Sequence, residues 1–347
     1  KRLPGLGISQ FNMGMSSVEV RGVKTNFSEK VLFLVNGHPI NNNLVNGGAQ
    51  SSYNDFIVDD IERVEVVRGP GSALYGANAF VAVINIITKD AEDINGAKVT
   101  VGGGSFETQK LNMQYGQQFE TLEVAANVNI FDTDGIKGYV GSDAIGASGT
   151  TDYWNQRYEF GFQLGYGDYS LQGKYLKRQS GSYLGANNVL NDDSQQEYID
   201  YFVELGYQRA LSSQLLFVSK LYFDHFEFDN LWEAFPEGYT DPGGVNYPDG
   251  LMLRSPVKHD VTGIDAQLEF QLNTEHKLLG GVTAEHQSQY GVEFWTNGGS
   301  GPMQDISSVA NWNGSHNRDV YAAYLQDIWD INDALRLISG ARYDHYS

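Results

Sequence analysis

The chain has 347 residues, a formal charge of −20 and no cysteine. That length exceeds what one core commonly supports, so two units are expected. The missing thiols exclude disulfides, thiolate metal sites and a cysteine nucleophile, and the acidity opposes a nucleic-acid partner, whose phosphates need Lys and Arg. Apolar runs fall far short of the ~18 residues of a membrane helix. That leaves a soluble all-β protein or a β-barrel, because only helices and closed barrels satisfy their backbone inside lipid.

No charged-then-apolar leader opens the sequence at Lys1, so any secretory signal is expected to lie outside it. Residues 1 to about 90 hold short strand-like runs, Val31–Val35 and 61–67, between polar loops and a Gly-rich segment at 69–76. They read as a compact α/β or mostly β globule. The pattern changes within residues 90–96, and from about Ala97 onward long runs alternate strictly between apolar and polar residues.

Leu122, Val124, Ala126, Val128 and Ile130 oppose Glu123, Asn127 and Asn129; Tyr158, Phe160, Phe162, Leu164 and Tyr166 oppose Glu159, Gly161, Gln163 and Gly165. Tyr201, Val203, Leu205 and Tyr207 oppose Phe202, Glu204, Gly206 and Gln208, and the alternation returns around Ile264 to Phe270 and Leu335 to Tyr343. Apolar outside and polar inside is what a membrane barrel with a wet lumen requires.

A soluble sandwich also alternates, so the connections discriminate. After a tight hairpin at 105–108, short turns fall near 117–121, 167–168, 211–213, 273–275 and 332–333. Long polar loops at 133–152, 179–196, 229–258 and 291–315 lie between them. Outer-membrane barrels sort their connections this way, short on the periplasmic side and long outside. The segments number about eleven, whereas such barrels close with an even number, so an incomplete barrel of about twenty-two strands is expected.

Four ordered motifs in the first 90 residues resemble the plug of TonB-dependent outer-membrane receptors. Val18-Glu19-Val20-Arg21-Gly22 is similar to the family's "IRG" turn, and Val31-Leu32-Phe33-Leu34-Val35-Asn36-Gly37 to its "vLvLvDG" strand. The stretch from Ile61-Glu62-Arg63-Val64-Glu65-Val66-Val67-Arg68-Gly69-Pro70-Gly71-Ser72 to Gly76 resembles "IerIEVvrGPgSalYG". Ala79 to Thr88 resembles "aiGGVINIIT". Tyr324-Leu325-Gln326-Asp327 and Gly340-Ala341-Arg342-Tyr343-Asp344 resemble later barrel strands. Two departures are Asn36 in place of Asp and Val81-Ala82 in place of a Gly pair. A phosphate-binding reading of residues 69–76 fails on spacing, since Ala77-Asn78 stand where a P-loop needs Lys-Ser/Thr.

The resemblance implies an all-β transmembrane barrel with an N-terminal α+β plug filling its lumen: residues 1–92 as a plug lacking its N-terminal part, and 93–347 as the first half of the barrel. It implies active transport across the outer membrane of a Gram-negative bacterium, with TonB, ExbB and ExbD as partners and lipid and lipopolysaccharide around the wall. The TonB-contacting box is expected to precede Lys1. A ferric siderophore is the expected cargo on family frequency, with cobalamin, haem or an oligosaccharide as alternatives. No enzyme activity and no resident cofactor are expected, a ferric chelate being cargo. A passive porin or adhesin is disfavoured because an open pore has no use for a plug, and no carboxylate pair marks a soluble carbohydrate hydrolase.

By resemblance Arg21 and Arg68 form a latch to wall carboxylates, for which the guanidinium fork is suited. Outward plug loops carrying Asn12, Met13, Asn43, Asn46, Gln50 and Tyr53, with Trp232 and Phe235 from the wall loops, are the expected substrate contacts. Trp295 and Trp312 read as interfacial girdle residues. His38, His259 and His316 have no paired ligand spacing for haem, and Asp192-Asp193 and the 241–249 loop offer oxygens to Ca²⁺ without EF-hand spacing.

Overall fold

A computed structural model describes residues 4–10, 15–54, 56–69, 71–76, 78–310 and 313–347, without the side chains of 50, 51 and 72. β1 (Leu6–Gln10) pairs antiparallel with β2 (Ser16–Val20). β3 (Val31–Val35) is apolar at every position and buried along its whole length, as a strand covered on both faces must be. It turns through Asn36 and Gly37, at φ 49° and 79°, into β4 (His38–Pro39). Two successive positive φ values suit the tight hairpin for which Asn-Gly is favoured.

Asn36 stands where the resemblance anticipates Asp, and the amide uses both its ends. It donates to Thr88 Oγ1 and accepts from Thr88 N, each at 2.8 Å. A carboxylate could not make the first of these donations.

The chain continues through α1 (Gln50–Tyr53), a 3-10 turn (Val58–Asp60), β5 (Ile61–Arg68), α2 (Ser72–Tyr75) and β6 (Ala82–Thr88). The Gly-rich segment thus contains a helical turn. The sheet order is β4-β3-β6-β5, with β3 and β6 parallel. Asp90 opens α3 (Ala91–Ile94) with a capping box, accepting from Glu92 N and Asp93 N. The core joins Val20, Val31, Phe33, Val35, Ala82 and Ile84 to Phe202 of the wall, so plug and wall share apolar packing.

The wall begins with β7 (Gly96–Gly103), β8 (Gln109–Gln118) and β9 (Leu122–Thr133). A small hairpin, β10 (Tyr139–Val140) with β11 (Gly149–Thr150), decorates the next loop. Then come β12 (Asn155–Tyr166), β13 (Tyr169–Gly181), β14 (Gln195–Ala210) and β15 (Leu215–Phe235). Beyond the hairpin of β16 (Tyr239–Thr240) and β17 (Asn246–Tyr247) and the short β18 (Leu251–Arg254) lie β19 (Val257–Gln271) and β20 (His276–Tyr290). The short β21 (Trp295–Thr296) and β22 (Gln304–Asp305) precede β23 (His316–Asn332) and β24 (Leu335–Tyr346).

Among the described residues eleven long strands form one antiparallel meander, β7-β8-β9-β12-β13-β14-β15-β19-β20-β23-β24, and its end strands do not pair with each other. The sheet is an unclosed portion of a barrel. Its faces follow the alternation: Val128 and Ile130 of β9 are exposed while Asn129 between them is 2% exposed. On β14 Val203 and Leu205 point out, and Phe202 and Glu204 are buried against the plug.

Two expected loops are partly sheet. β15 runs on to Phe235, through an irregularity between Glu233 and Phe235, and pairs with β18, which continues through β21 to β22. Trp295 lies in this outer extension, donating from Nε1 to Glu293 at 2.7 Å. Trp312 lies outside the described residues.

Candidate functional site

The seam between plug and wall is built from polar residues at the inward register of the wall strands. At β8 and β9 it is an amide cage. Asp60, 3% exposed, accepts at Oδ1 from Asn112 (2.8 Å) and Gln114 (2.6 Å), and at Oδ2 from Asn129 (2.5 Å) and Asn127. Four donors match the roughly four lone-pair sites of a carboxylate, so its burial is compensated. Next to it Lys110 pairs with Asp59 and holds that carboxyl below its usual range, and Gln114 also donates to Asp59 O at 2.9 Å. α3 packs on β8 at Gly116, where an added Cβ would stand 2.6 Å from Ile94 Cβ.

At β14 and β15 the seam is a clasp centred on one plug residue. His38 is fully buried, with Nδ1 2.9 Å from Glu204 and Nε2 2.7 Å from Asp224. Both neighbours accept when ionised, so both ring nitrogens donate and the ring is imidazolium. Burial alone would push its pKa down, but Asp224 and Glu204 outweigh burial and raise it to about 9. The ring stacks on Phe202 at 3.9 Å and meets Tyr222 edge-on. Lys220 bonds Glu204 at 3.1 Å and donates to Gly37 O at 3.2 Å, giving two cations to two carboxylates.

Between the two regions Arg157 and Lys174 each bind Glu159 at 2.5 Å, and Lys174 sits 3.7 Å over the Phe56 ring of the plug. Ser52 donates to Asp200, and Gln163 donates to Thr88 Oγ1 at 2.8 Å. At the outer end Met15 packs with Tyr198, Phe226, Phe228 and Val257. At the far end of the sheet α2 rests on β23 and β24, and Arg342 Nη1 donates to Leu74 O at 3.3 Å.

The sequence-derived candidates divide. Arg21, at φ 50°, and Arg68 are exposed, and neither forms an ion pair among the described residues. Tyr53 is committed inside the plug: its ring stacks on Phe33 at 4.3 Å and its hydroxyl donates to Ser16 O at 2.8 Å and meets Ser28 Oγ at 3.1 Å. Burial pushes its pKa up to about 12 against that Ser28 bond.

Asn43 and Asn46 are exposed on the plug loop, accepting from Asn78 and from Gly48 N (2.8 Å) respectively. Asn41, in the same amide-rich loop, is scaffolding: it accepts from Phe33 N and donates to Val31 O and Gly47 O. Trp232 is paired with Leu253 in the outer ladder, and Phe235 stacks with Tyr239 at 4.9 Å and lies 5.1 Å from Tyr247. No hydrogen bond or ring contact joins these aromatics to Asn43 or Asn46 among the described residues. Asn12 and Met13, and the side chain of Gln50, lie outside the described residues.

Asp192, Asp193 and Glu233 bring carboxylate oxygens within 4.8 Å of one another, yet Glu233 already accepts from the backbone of Asp192 and Asp193. Asp241 accepts from Val245 N and Asp249 from Gly301 N, which spends those acids on loop backbone. Sequence reading placed Glu204, Asn127 and Asn129 on the inward face but missed Asp60 and Asp224. The usable signal was the period-2 register, which assigns a face without naming the partner across it.

A folded sheet bonded to the inner face of a wall whose outer face is apolar defines a plugged membrane β-barrel. The comparisons agree: residues 1–83 match the TonB-dependent Receptor Plug Domain and residues 131–347 the TonB dependent receptor-like β-barrel. The chain belongs to the TonB-dependent receptor family, whose barrels sit in the bacterial outer membrane. It is 35% identical over 214 residues to the vitamin B12 transporter BtuB of Vibrio vulnificus (strain CMCP6), an alignment covering 61% of this chain and 32% of that protein.

Among solved structures it resembles the ferric citrate transporter FecA (TM-score 0.71, 15% identity, 99% of this chain and 52% of that one). It also resembles the siderophore receptor PirA from Acinetobacter baumannii (TM-score 0.64, 20% identity, 100% and 53%). These identities establish shared fold. The chain spans about half the length of those structures and about a third of the curated relative.

Proposed function

We propose that this chain forms the plug and part of the wall of an active importer in the outer membrane of a Gram-negative bacterium, energised through TonB with ExbB and ExbD. The observation that supports it most is the seam itself. A diffusion pore gains nothing from a folded domain bonded across its lumen by His38, Asp59 and Asp60, whereas a gated importer needs a removable obstruction. Residues 1–92 act as the plug and 93–347 as wall. Arg21 and Arg68, which meet no carboxylate among the described residues, keep by family resemblance the role of latching the plug edge, and Asn43 and Asn46, with Asn12, Met13, Trp232 and Phe235, face the cargo.

The cargo is a scarce metal chelate. A ferric siderophore is the reading from family frequency, but the 35% identity to a vitamin B12 transporter favours a corrinoid, since the siderophore receptors matched at 16–20% share only the fold. The test is uptake of radiolabelled cyanocobalamin and of a ferric catecholate siderophore by cells making the complete receptor, with and without TonB. TonB-dependent uptake of either supports import and selects the cargo. Equal flux without TonB would return the reading to a passive pore.

A further inference from the structure

The seam differs in how it is filled. Chiefly facing β12 to β15 it holds a run of half-open cavities that share walls, one of which reaches Asp60, Gln114 and Asn127 of the amide cage. The outermost, about 30 Å³, is lined by His38, Asp200, Asp224 and His259. It shares Ile40, Asp200 and Phe202 with a second of about 10 Å³, which shares Val35, Lys174 and Phe202 with a third of about 30 Å³. Asn36, Gln163 and Gln172 line both that third cavity and a fourth of about 350 Å³ near the short turns of the wall. At ~30 Å³ per water the last would hold on the order of ten molecules, and Glu204, Lys220, Gln172 and Asp90 give them polar partners.

His38 lines the outermost cavity and its partner Glu204 the innermost, and neither lines the two between, so the 2.9 Å bond directly separates the two ends of the run and breaking it would join them. The bond hangs on one side chain. His38 lies on a two-residue edge strand, and moving that hairpin tip breaks the contacts to Glu204 and Asp224 together. By contrast Asp60 is held by donors from both β8 and β9.

We propose that the seam facing β12 to β15 is the path by which solute passes the plug, and that His38 is its gate. The proposal rests on the import reading above. It predicts that one part of the plug yields while the remainder stays docked, a division a tether can detect. The chain contains no cysteine, so within it engineered pairs react only with each other.

In the complete receptor, Ser52→Cys with Asp200→Cys joins two side chains already in hydrogen-bond contact across the seam. Ala73→Cys with Gly340→Cys joins α2 to β24; a Cβ on Gly340 would stand 2.9 Å from that of Ala73, nearer than the roughly 3.5–4.5 Å of a relaxed disulfide, so this tether forms with a small outward shift of α2. With radiolabelled cyanocobalamin as probe, oxidation of the first pair is expected to lower TonB-dependent uptake at least about tenfold, reversed by reductant, and oxidation of the second to leave it within about twofold. Loss of uptake with both tethers, or with neither, overturns the path.

A ligand-free arm separates this from the import reading: His38→Ala in planar bilayers with potassium chloride and no TonB is expected to raise ion conductance several-fold, and His38→Gln less. Unchanged conductance in both folded variants overturns the gate. Absence of cyanocobalamin uptake by the unaltered receptor sinks the corrinoid reading, and the conductance arm then decides the gate by itself.

Discussion

The plug meets its wall in two chemically different ways. Against β8 and β9 one buried carboxylate is saturated by four amides drawn from two strands. Against β14 and β15 a single imidazolium holds two carboxylates. The first arrangement needs several bonds broken at once; the second turns on one ring, with the Lys220 bond to Gly37 O beside it. The contrast teaches that a plug can be docked firmly along one arc of its wall and conditionally along another.

The largest effect is expected from the cage. Asp60→Ala leaves the amides of Asn112, Gln114, Asn127 and Asn129 without their common acceptor, at a cost of about 3–5 kcal/mol even with some re-pairing. Hydrogen exchange of β5 and β6 in the detergent-solubilised complete receptor would show it. If those amides stay protected, the cage is not the firm arc.

Second comes pH. A His whose folded pKa is raised from 6.5 to about 9 contributes stability that is complete below pH 6.5 and is lost as pH rises through about 9. The shift corresponds to on the order of 3 kcal/mol. Exchange protection of β3 and β4 should fall across that window while β5 and β6 hold theirs. A parallel loss in both would erase the distinction between the arcs.

Tyr53→Phe removes one hydroxyl from the Ser16 and Ser28 contacts and should cost about 1 kcal/mol of plug stability in a urea titration. A loss of cargo affinity with no stability change would instead place Tyr53 at the cargo. The smallest effect is expected from Lys110→Met, because both partners of that ion pair are about a third exposed and water screens them; roughly 1 kcal/mol or less should be lost, and less again at high salt.

The wall was legible in the sequence because period-2 alternation has to persist wherever one face meets lipid and the other a polar lumen. Val128, Asn129 and Ile130 read correctly from spacing alone, as did the count of about eleven wall segments. Extended loops were harder. Nothing in the local pattern of residues 229–258 announces that β15 will find β18 as a partner, since short strands depend on pairing for their existence. Tyr53 likewise looked available on a polar loop, and it is the neighbouring Phe33, Ser16 and Ser28 that engage it.

What the amino-acid order determined by itself was therefore the class of architecture: a glycine-punctuated plug, then a meander with an apolar outer face and polar inner face. What the tertiary structure decided was which inward polar residues meet. Asp60 and Asn129 are 69 residues apart, and His38 and Glu204 are 166 apart. A face follows from the pleat of a strand, which is local; a partner follows from where the plug sheet settles within the wall, which depends on every strand register at once.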